Sequence, residues 1–389
     1  MKPKQGSTQN RMVELVRAAK AATMIPGAPV IDDAAILVNQ GVIEAVGSYA
    51  DLAPAHSGEV LDLGDVFLCP GLINAHSHLE LAHLKGKCPS GQGFVTWVED
   101  LLKQPIFDLE PDRLDEAVRE LKRTGTIMVG DIATRFAKEM AGVLEASGLF
   151  FAVFCEAIGE SLPKKTFIPK GEFEAGFISV AGHSLYTTHK DVLRAAKAEA
   201  RDKGLPFSLH LAEHPEETHM MRDGSGPLPP MLEKARIGLD NFTPPGVSPT
   251  ARARDLGLLD PDTLAVHCVQ LSDDDLDILA ETRANVCLCP RSNDYIGVGQ
   301  ARWEGLMERG VNLCLGTDGL CSNHDLDLFS EALYVRERIQ ADFPLETALA
   351  WMTSNPAKAL NMDHKLGSLE PGKAARWCAV PPEVEQSFR

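Results

Sequence analysis

Short apolar runs separated by polar stretches of helical spacing fill the chain between residues 67 and 362. The runs at 67–68, 126–129, 150–154, 178–181, 207–211, 264–267, 285–288 and 312–315 read as strands. Residues 191–203 and 273–281 carry apolar positions at helical spacing. Brief, continuously apolar runs suit strands buried on both faces, while the intervening pattern suits helices covering them. Alternation of this kind predicts a parallel sheet. Eight strands predict a closed (β/α)8 barrel, whose C-terminal strand ends carry the chemistry.

The two chain ends read differently. Ala34-Ala35-Ile36-Leu37-Val38 and Val42-Ile43-Glu44-Ala45-Val46 flank the turn Asn39-Gln40-Gly41, the pattern of a hairpin. Gly367-Ser368-Leu369-Glu370-Pro371-Gly372 is a second turn, and residues 377–380 are apolar. Residues 1–66 and 363–389 are therefore expected to build a small β-sandwich module beside a barrel of residues 67–362, an α/β protein.

Composition narrows the partners. The chain has 389 residues, 44% hydrophobic and 24% charged, enough for a sizeable core. A net charge of −17 argues against nucleic acid or an anionic membrane as the main partner. Residues 1–11 are polar, and no stretch approaches the ~18 apolar residues of a membrane span. The nine cysteines are scattered, with Cys287 and Cys289 spaced C-x-C rather than C-x-x-C. Reduced, buried thiols in a cytoplasmic protein are expected. The expected partner is a small-molecule substrate, and a homodimer is compatible with everything above.

The candidate chemistry lies where the apolar runs stop. In Asn74-Ala75-His76-Ser77-His78, period-2 geometry puts both imidazoles on one face. His210 closes a strand three residues before Glu213, His267 ends another, and Asp318 follows Leu315-Gly316-Thr317. Singly, each has an ordinary explanation: a core histidine, a surface carboxylate, a helix cap. Together, at successive strand ends, they form a set that suits zinc or iron(II) with a position open for water. Such a metal lowers the pKa of its water toward ~7. Glu213 then suits proton transfer, and His267 suits polarising the reacting group.

Pro70-Gly71-Leu72-Ile73-Asn74-Ala75-His76-Ser77-His78, His210-Leu211-Ala212-Glu213, Val266-His267-Cys268 and Gly316-Thr317-Asp318 resemble the amidohydrolase superfamily, in its cytosine deaminase/chlorohydrolase branch. Ser354-Asn355-Pro356-Ala357-Lys358-Ala359-Leu360 and the Gly367–Lys373 turn match that family's C-terminal stretch. The resemblance implies one divalent metal, zinc first and iron(II) second, held by His76, His78, His210 and Asp318. It also implies Glu213 as proton shuttle, His267 at the reacting group, and Asp318 as a further proton acceptor. Binuclear relatives carry a bridging lysine on the fourth strand, and the expected candidate for that strand, residues 150–154, holds none.

His78-Leu79-Glu80-Leu81, Gly93-Phe94-Val95-Thr96-Trp97-Val98 and Cys289-Pro290-Arg291-Ser292-Asn293 resemble aminodeoxyfutalosine deaminases. These convert the adenine base of 6-amino-6-deoxyfutalosine to hypoxanthine in menaquinone biosynthesis. Alternatives on the same site are deamination of adenosine, methylthioadenosine or adenosylhomocysteine, and chlorohydrolase or cyclic amidohydrolase chemistry. Three substrate contacts are expected: Glu80, on an extended backbone, to ribose hydroxyls; His183 from a neighbouring strand end; and Arg291, bidentate, to a substrate carboxylate.

Overall fold

The computed structural model describes residues 13–240, 242–338 and 343–388; the polar stretch 1–11 lies outside them. Five strands come first: β1 (Val13–Ala21), β2 (Ile31–Asn39), β3 (Val42–Ser48), β4 (Val60–Asp62) and β5 (Phe67–Pro70). The expected hairpin is β2–β3, antiparallel, with Gln40 and Gly41 both at positive φ in the turn. Eight parallel strands follow: β6 (Leu72–Ser77), β7 (Thr126–Ala133), β8 (Phe150–Ala157), β9 (Gly176–Gly182), β10 (Phe207–Leu211), β11 (Thr263–His267), β12 (Asn285–Leu288) and β13 (Leu313–Leu315). They are hydrogen-bonded in sequence order. The last strand, β14 (Trp377–Ala379), returns to pair with β5.

The module from both chain ends is thus one six-stranded mixed sheet in the order β14-β5-β1-β2-β3, with β4 beside β1. Val16, Ala34, Ile36, Ile43, Leu68 and Leu369 form its core. One expectation is corrected. Residues 67–68, read as the first barrel strand, pair in this sheet, with Lys20 opposite Phe67 and Ala21 opposite Leu68. The first barrel strand is β6, one residue further on. Gly71 is the joint: a Cβ there would lie 2.4 Å from the Ile127 side chain.

Period-2 alternation sorts the barrel side chains into two layers. Phe150, Ala152 and Phe154 join Ile73, Met128, Leu264, Val266 and Cys314 in one buried cluster. Phe151 and Val153 on the same strand face the larger cluster that contains the covering helices, with Leu144, Leu193 and Leu279. The barrel closes between the ends of β13 and β6. Asp318 N donates to His76 O at 3.0 Å, and Asn74 bonds Thr317 twice: Nδ2 to Oγ1 at 2.7 Å, and Oδ1 from the backbone N–H at 3.1 Å. Closure therefore draws His76 and Asp318 together. Among the described residues no helix is long and apolar enough to cross a membrane.

Candidate active site

His76 lies on β6 and His78 just beyond it, His210 lies on β10, and Asp318 follows β13. The three ring centroids stand 4.9, 5.1 and 5.4 Å apart. His76 Nε2 and His78 Nε2 are each 3.4 Å from Asp318 Oδ1. Two donors bound tetrahedrally at 2.0–2.1 Å would stand about 3.3 Å apart, so this spacing fits zinc-type ligation. His76 is 1% exposed, and neither of its ring nitrogens has a hydrogen-bond partner. A buried polar atom left unpaired is rare and costly, and a bound cation would satisfy it.

The surroundings prepare the remaining donors. His210 Nδ1 meets the carbonyl of His183 at 2.9 Å, so this nitrogen carries the proton and Nε2 is left as ligand atom. Asp318 Oδ2 accepts from the hydroxyls of Ser292 and Ser322 at 2.6 and 2.7 Å, leaving Oδ1 for the histidines. Burial lowers His76 and His210 and takes His78 down to about 3, so the rings are neutral with lone pairs available. Burial opposes ionisation of Asp318, but its close approach to the His76, His78 and His267 rings outweighs it and holds its carboxyl well below the usual range. Neutral imidazoles and an ionised carboxylate are the forms a divalent metal requires.

His267 ends β11 with its Nδ1 3.0 Å from Asn293 Oδ1, which makes Nδ1 the donor and leaves Nε2 3.7 Å from Glu213 Oε1. Ala212, His267 and Asp318 all have positive φ, 50°, 72° and 58°. Non-glycine residues rarely adopt this conformation, and its concentration at three strand ends marks a site where the backbone is bent to aim side chains. Glu217 accepts from the backbone N–H of Glu213 at 3.0 Å and is buried. Its burial, reinforced by the Glu213 charge, pushes its carboxyl up to about 8.

These groups floor a cavity of about 380 Å³. Its upper wall is apolar and includes Phe94, Trp97, Leu101, Ile106, Phe107 and Ile158. Gly93-Phe94-Val95-Thr96-Trp97-Val98 supplies part of this wall, as the helix Phe94–Leu101. Trp97 Nε1 anchors it to Cys321 O at 3.2 Å.

One expected substrate contact and the premise of another are corrected. Glu80 lines the cavity as expected, but the backbone there is a 3-10 helix, Leu79–Leu84, not an extended strand. Its carboxylate accepts from the backbone N–H of Thr134 at 2.9 Å and of Arg135 and Phe136 at 3.4 Å, so it braces a loop. Arg291 does not line the cavity. Its guanidinium grips Asp325 bidentately at 2.6 and 2.8 Å and stands 3.6 Å from Glu331. Neighbouring acids claimed it, while Ser292 and Asn293 beside it turn inward to Asp318 and His267. The third contact, His183, does line the cavity, with Nδ1 engaged by Thr187 Oγ1 at 2.6 Å.

Sequence reasoning passed over Glu156 and Arg135, both on the cavity wall. Glu156 lies two residues past the apolar run 150–154, so the rule that a polar residue closing a barrel strand faces the site could have found it. Arg135 stacks on Phe107, with its guanidinium carbon 3.8 Å from the ring centre.

A parallel barrel with three histidines and an aspartate gathered at its C-terminal strand ends has the architecture of a metal-dependent TIM-barrel hydrolase. A family match settles the assignment: the model of the amidohydrolase family covers residues 67–386, and the chain belongs to that family. With it comes hydrolysis of carbon–nitrogen bonds. A 5-methylthioadenosine/S-adenosylhomocysteine deaminase of Nitratidesulfovibrio vulgaris is 30% identical over 386 residues, covering 92% of this chain and 81% of that one. An adenosine deaminase from Xanthomonas campestris, solved with bound zinc, is 25% identical with a TM-score of 0.78, covering 94% of this chain and 84% of that one. Helicobacter pylori aminofutalosine deaminase in complex with methylthio-coformycin has a TM-score of 0.84 at 23% identity, covering 96% and 95%.

Proposed function

We propose that the protein deaminates a purine nucleoside by hydrolysis at the amino-bearing ring carbon. The observation that carries this reading is the convergence of His76, His78, His210 and Asp318 with the Glu213–His267 pair at the base of one apolar-walled cavity. The nucleoside deaminases among its relatives add support.

His76, His78, His210 and Asp318 would hold the metal, zinc first and iron(II) second. When bound, the metal acidifies water and so supplies a nucleophile at neutral pH. Asp318 Oδ1 takes the proton of the attacking water, a role available because Oδ2 is already satisfied by two serines. Glu213 delivers a proton to the ring nitrogen next to the attacked carbon. His267, whose Nδ1–H is given to Asn293, presents Nε2 to the reacting group beside Glu213 and orients it. Water adds; the proton held by Asp318 then passes to the amino group, which leaves as ammonia, and the hydroxyl proton returns to Glu213 as the ring carbonyl forms.

Our first candidate substrate is 6-amino-6-deoxyfutalosine, which would place the enzyme in menaquinone biosynthesis. The apolar upper wall suits its aromatic 5′ extension, and Arg135 is a cation on that wall for its carboxylate. The 30% identical relative favours a second reading, 5′-methylthioadenosine. Both share an apolar 5′ group.

Ammonia release from aminodeoxyfutalosine, 5′-methylthioadenosine, adenosylhomocysteine and adenosine tests the proposal. A 5′-extended adenine nucleoside should give the highest kcat/KM. Release from amino- or chlorotriazines with none from any nucleoside would overturn it. Purified protein should carry about one divalent ion per chain, and His210→Ala should lose it.

A further inference from the structure

Four carboxylates line the cavity: Glu80, Glu156, Glu213 and Asp318. Three are accounted for. Glu80 takes backbone N–H groups, Asp318 takes two serines and faces two histidines, and Glu213 is assigned above to proton transfer. Glu156, near the end of β8, differs. Its Oε2 accepts from Thr134 Oγ1 at 2.7 Å, whereas its Oε1 is buried with no hydrogen-bond partner. The residue is only 8% exposed. A charged oxygen in that position is costly unless a donor reaches it.

No group of the described protein supplies that donor. The nearest candidate is His210 Nδ1, 3.7 Å away, beyond hydrogen-bond range. That nitrogen's proton is already given to His183 O at 2.9 Å. Glu156 therefore does not orient His210. A metal shared by Glu156, His183 and His210, whose ligand-capable atoms lie within 4.8 Å of one another, is disfavoured for the same reason: Nδ1 of His210 is spent, and Nε2 belongs to the site with His76. What remains is a donor that arrives with the substrate.

We propose that Glu156 is a specificity-determining residue whose Oε1 accepts a hydrogen bond from a sugar hydroxyl of the substrate. The placement fits. Glu156 stands between the metal-donor histidine His210 on one side and the Thr134–Arg135 wall on the other. A nucleoside whose base meets the metal donors puts its sugar about one ring further out, toward that wall. Thr134 holds Oε2, so Oε1 is preset to receive. The same charge rejects any substrate that places an anion there, so a 5′ carboxylate must lie further out, on the Arg135 side. This inference rests on the nucleoside reading above.

The test compares ribonucleosides with their 2′- and 3′-deoxy analogues in wild type, Glu156→Gln and Glu156→Ala, with metal content measured for each. A hydrogen bond to a charged acceptor corresponds to roughly a 10- to 100-fold change in kcat/KM. Wild type should show that penalty for one of the deoxy analogues. Glu156→Ala should show it on the ribonucleoside and add at most about twofold on that analogue. Glu156→Gln keeps an acceptor without the charge and should fall between. All three should carry equal metal. Equal losses by Glu156→Ala and Glu156→Gln on ribo- and deoxy-substrates, or loss of metal in either, would overturn the assignment while leaving the nucleoside reading intact. Failure of wild type to release ammonia from any nucleoside would instead remove that reading, and this inference with it.

Discussion

Replacing Arg291 by alanine separates the sequence expectation from the structural one. The sequence places this guanidinium against a substrate carboxylate, so the loss should appear in KM. The structure places it in an ion cluster with Asp325 and Glu331, with Arg291 13% exposed, Asp325 31% and Glu331 fully buried. Removing one partner of a buried pair typically costs about 3–5 kcal/mol. Asp325 is partly solvated, and Glu331 keeps a bond from Asn323 Nδ2 at 2.8 Å. Both reduce the penalty, to about 2–3 kcal/mol. At ~2.1 cal/mol/K per residue, 389 residues give an unfolding entropy of about 0.8 kcal/mol/K, so Tm should fall by roughly 2–4 °C. The assay is thermal and denaturant unfolding of Arg291→Ala, with kcat/KM on aminodeoxyfutalosine and adenosine at a temperature where the variant is folded. Both substrates should respond alike, within about threefold. A variant of unchanged stability that loses activity only on the carboxylate-bearing substrate would refute this reasoning and restore the sequence expectation.

Three further outcomes follow from the site. Glu213→Gln should retain metal and substrate but lose roughly 10²–10⁴-fold in kcat, because an amide cannot carry the proton; turnover near wild type would move that role to another residue. Glu217 titrates near 8 when folded, above its ordinary 4.5. Its carboxyl therefore stays protonated in the native state while the unfolded chain ionises, and stability falls between pH 4.5 and 8 by up to about 1.4 kcal/mol per unit. Glu217→Gln should flatten that part of the curve; identical pH profiles for the two proteins would show that Glu217 is ionised in the native state. A methyl group on Gly316 would meet His76 Cβ at 2.8 Å and His76 N at 3.0 Å, so Gly316→Ala should displace His76 and lower metal occupancy at saturating zinc. Full occupancy, read by elemental analysis, would show that the barrel seam can yield.

Local physics alone determined much of this protein. Short, continuously apolar runs announced β7 to β13, and period-2 strand geometry placed His76 and His78 on one face, since both depend only on neighbouring residues. A barrel binds at its C-terminal strand ends, so a polar residue closing an apolar run could be assigned to the site before any coordinates, as with His210, His267 and Asp318. Tertiary structure decided whatever depended on distant partners. Residues 67–68 could equally extend the barrel or the terminal sheet, and pairing with residues 20–21, and of Leu68 with Ala379, chose the latter. Arg291 was free in sequence but captured by Asp325, 34 positions away, and Glu80 turned into a 3-10 helix beneath the N–H groups of residues 134–136. The unpartnered oxygen of Glu156 is of the same kind. A missing partner is a property of everything packed around an atom, and no local pattern in the sequence can record it.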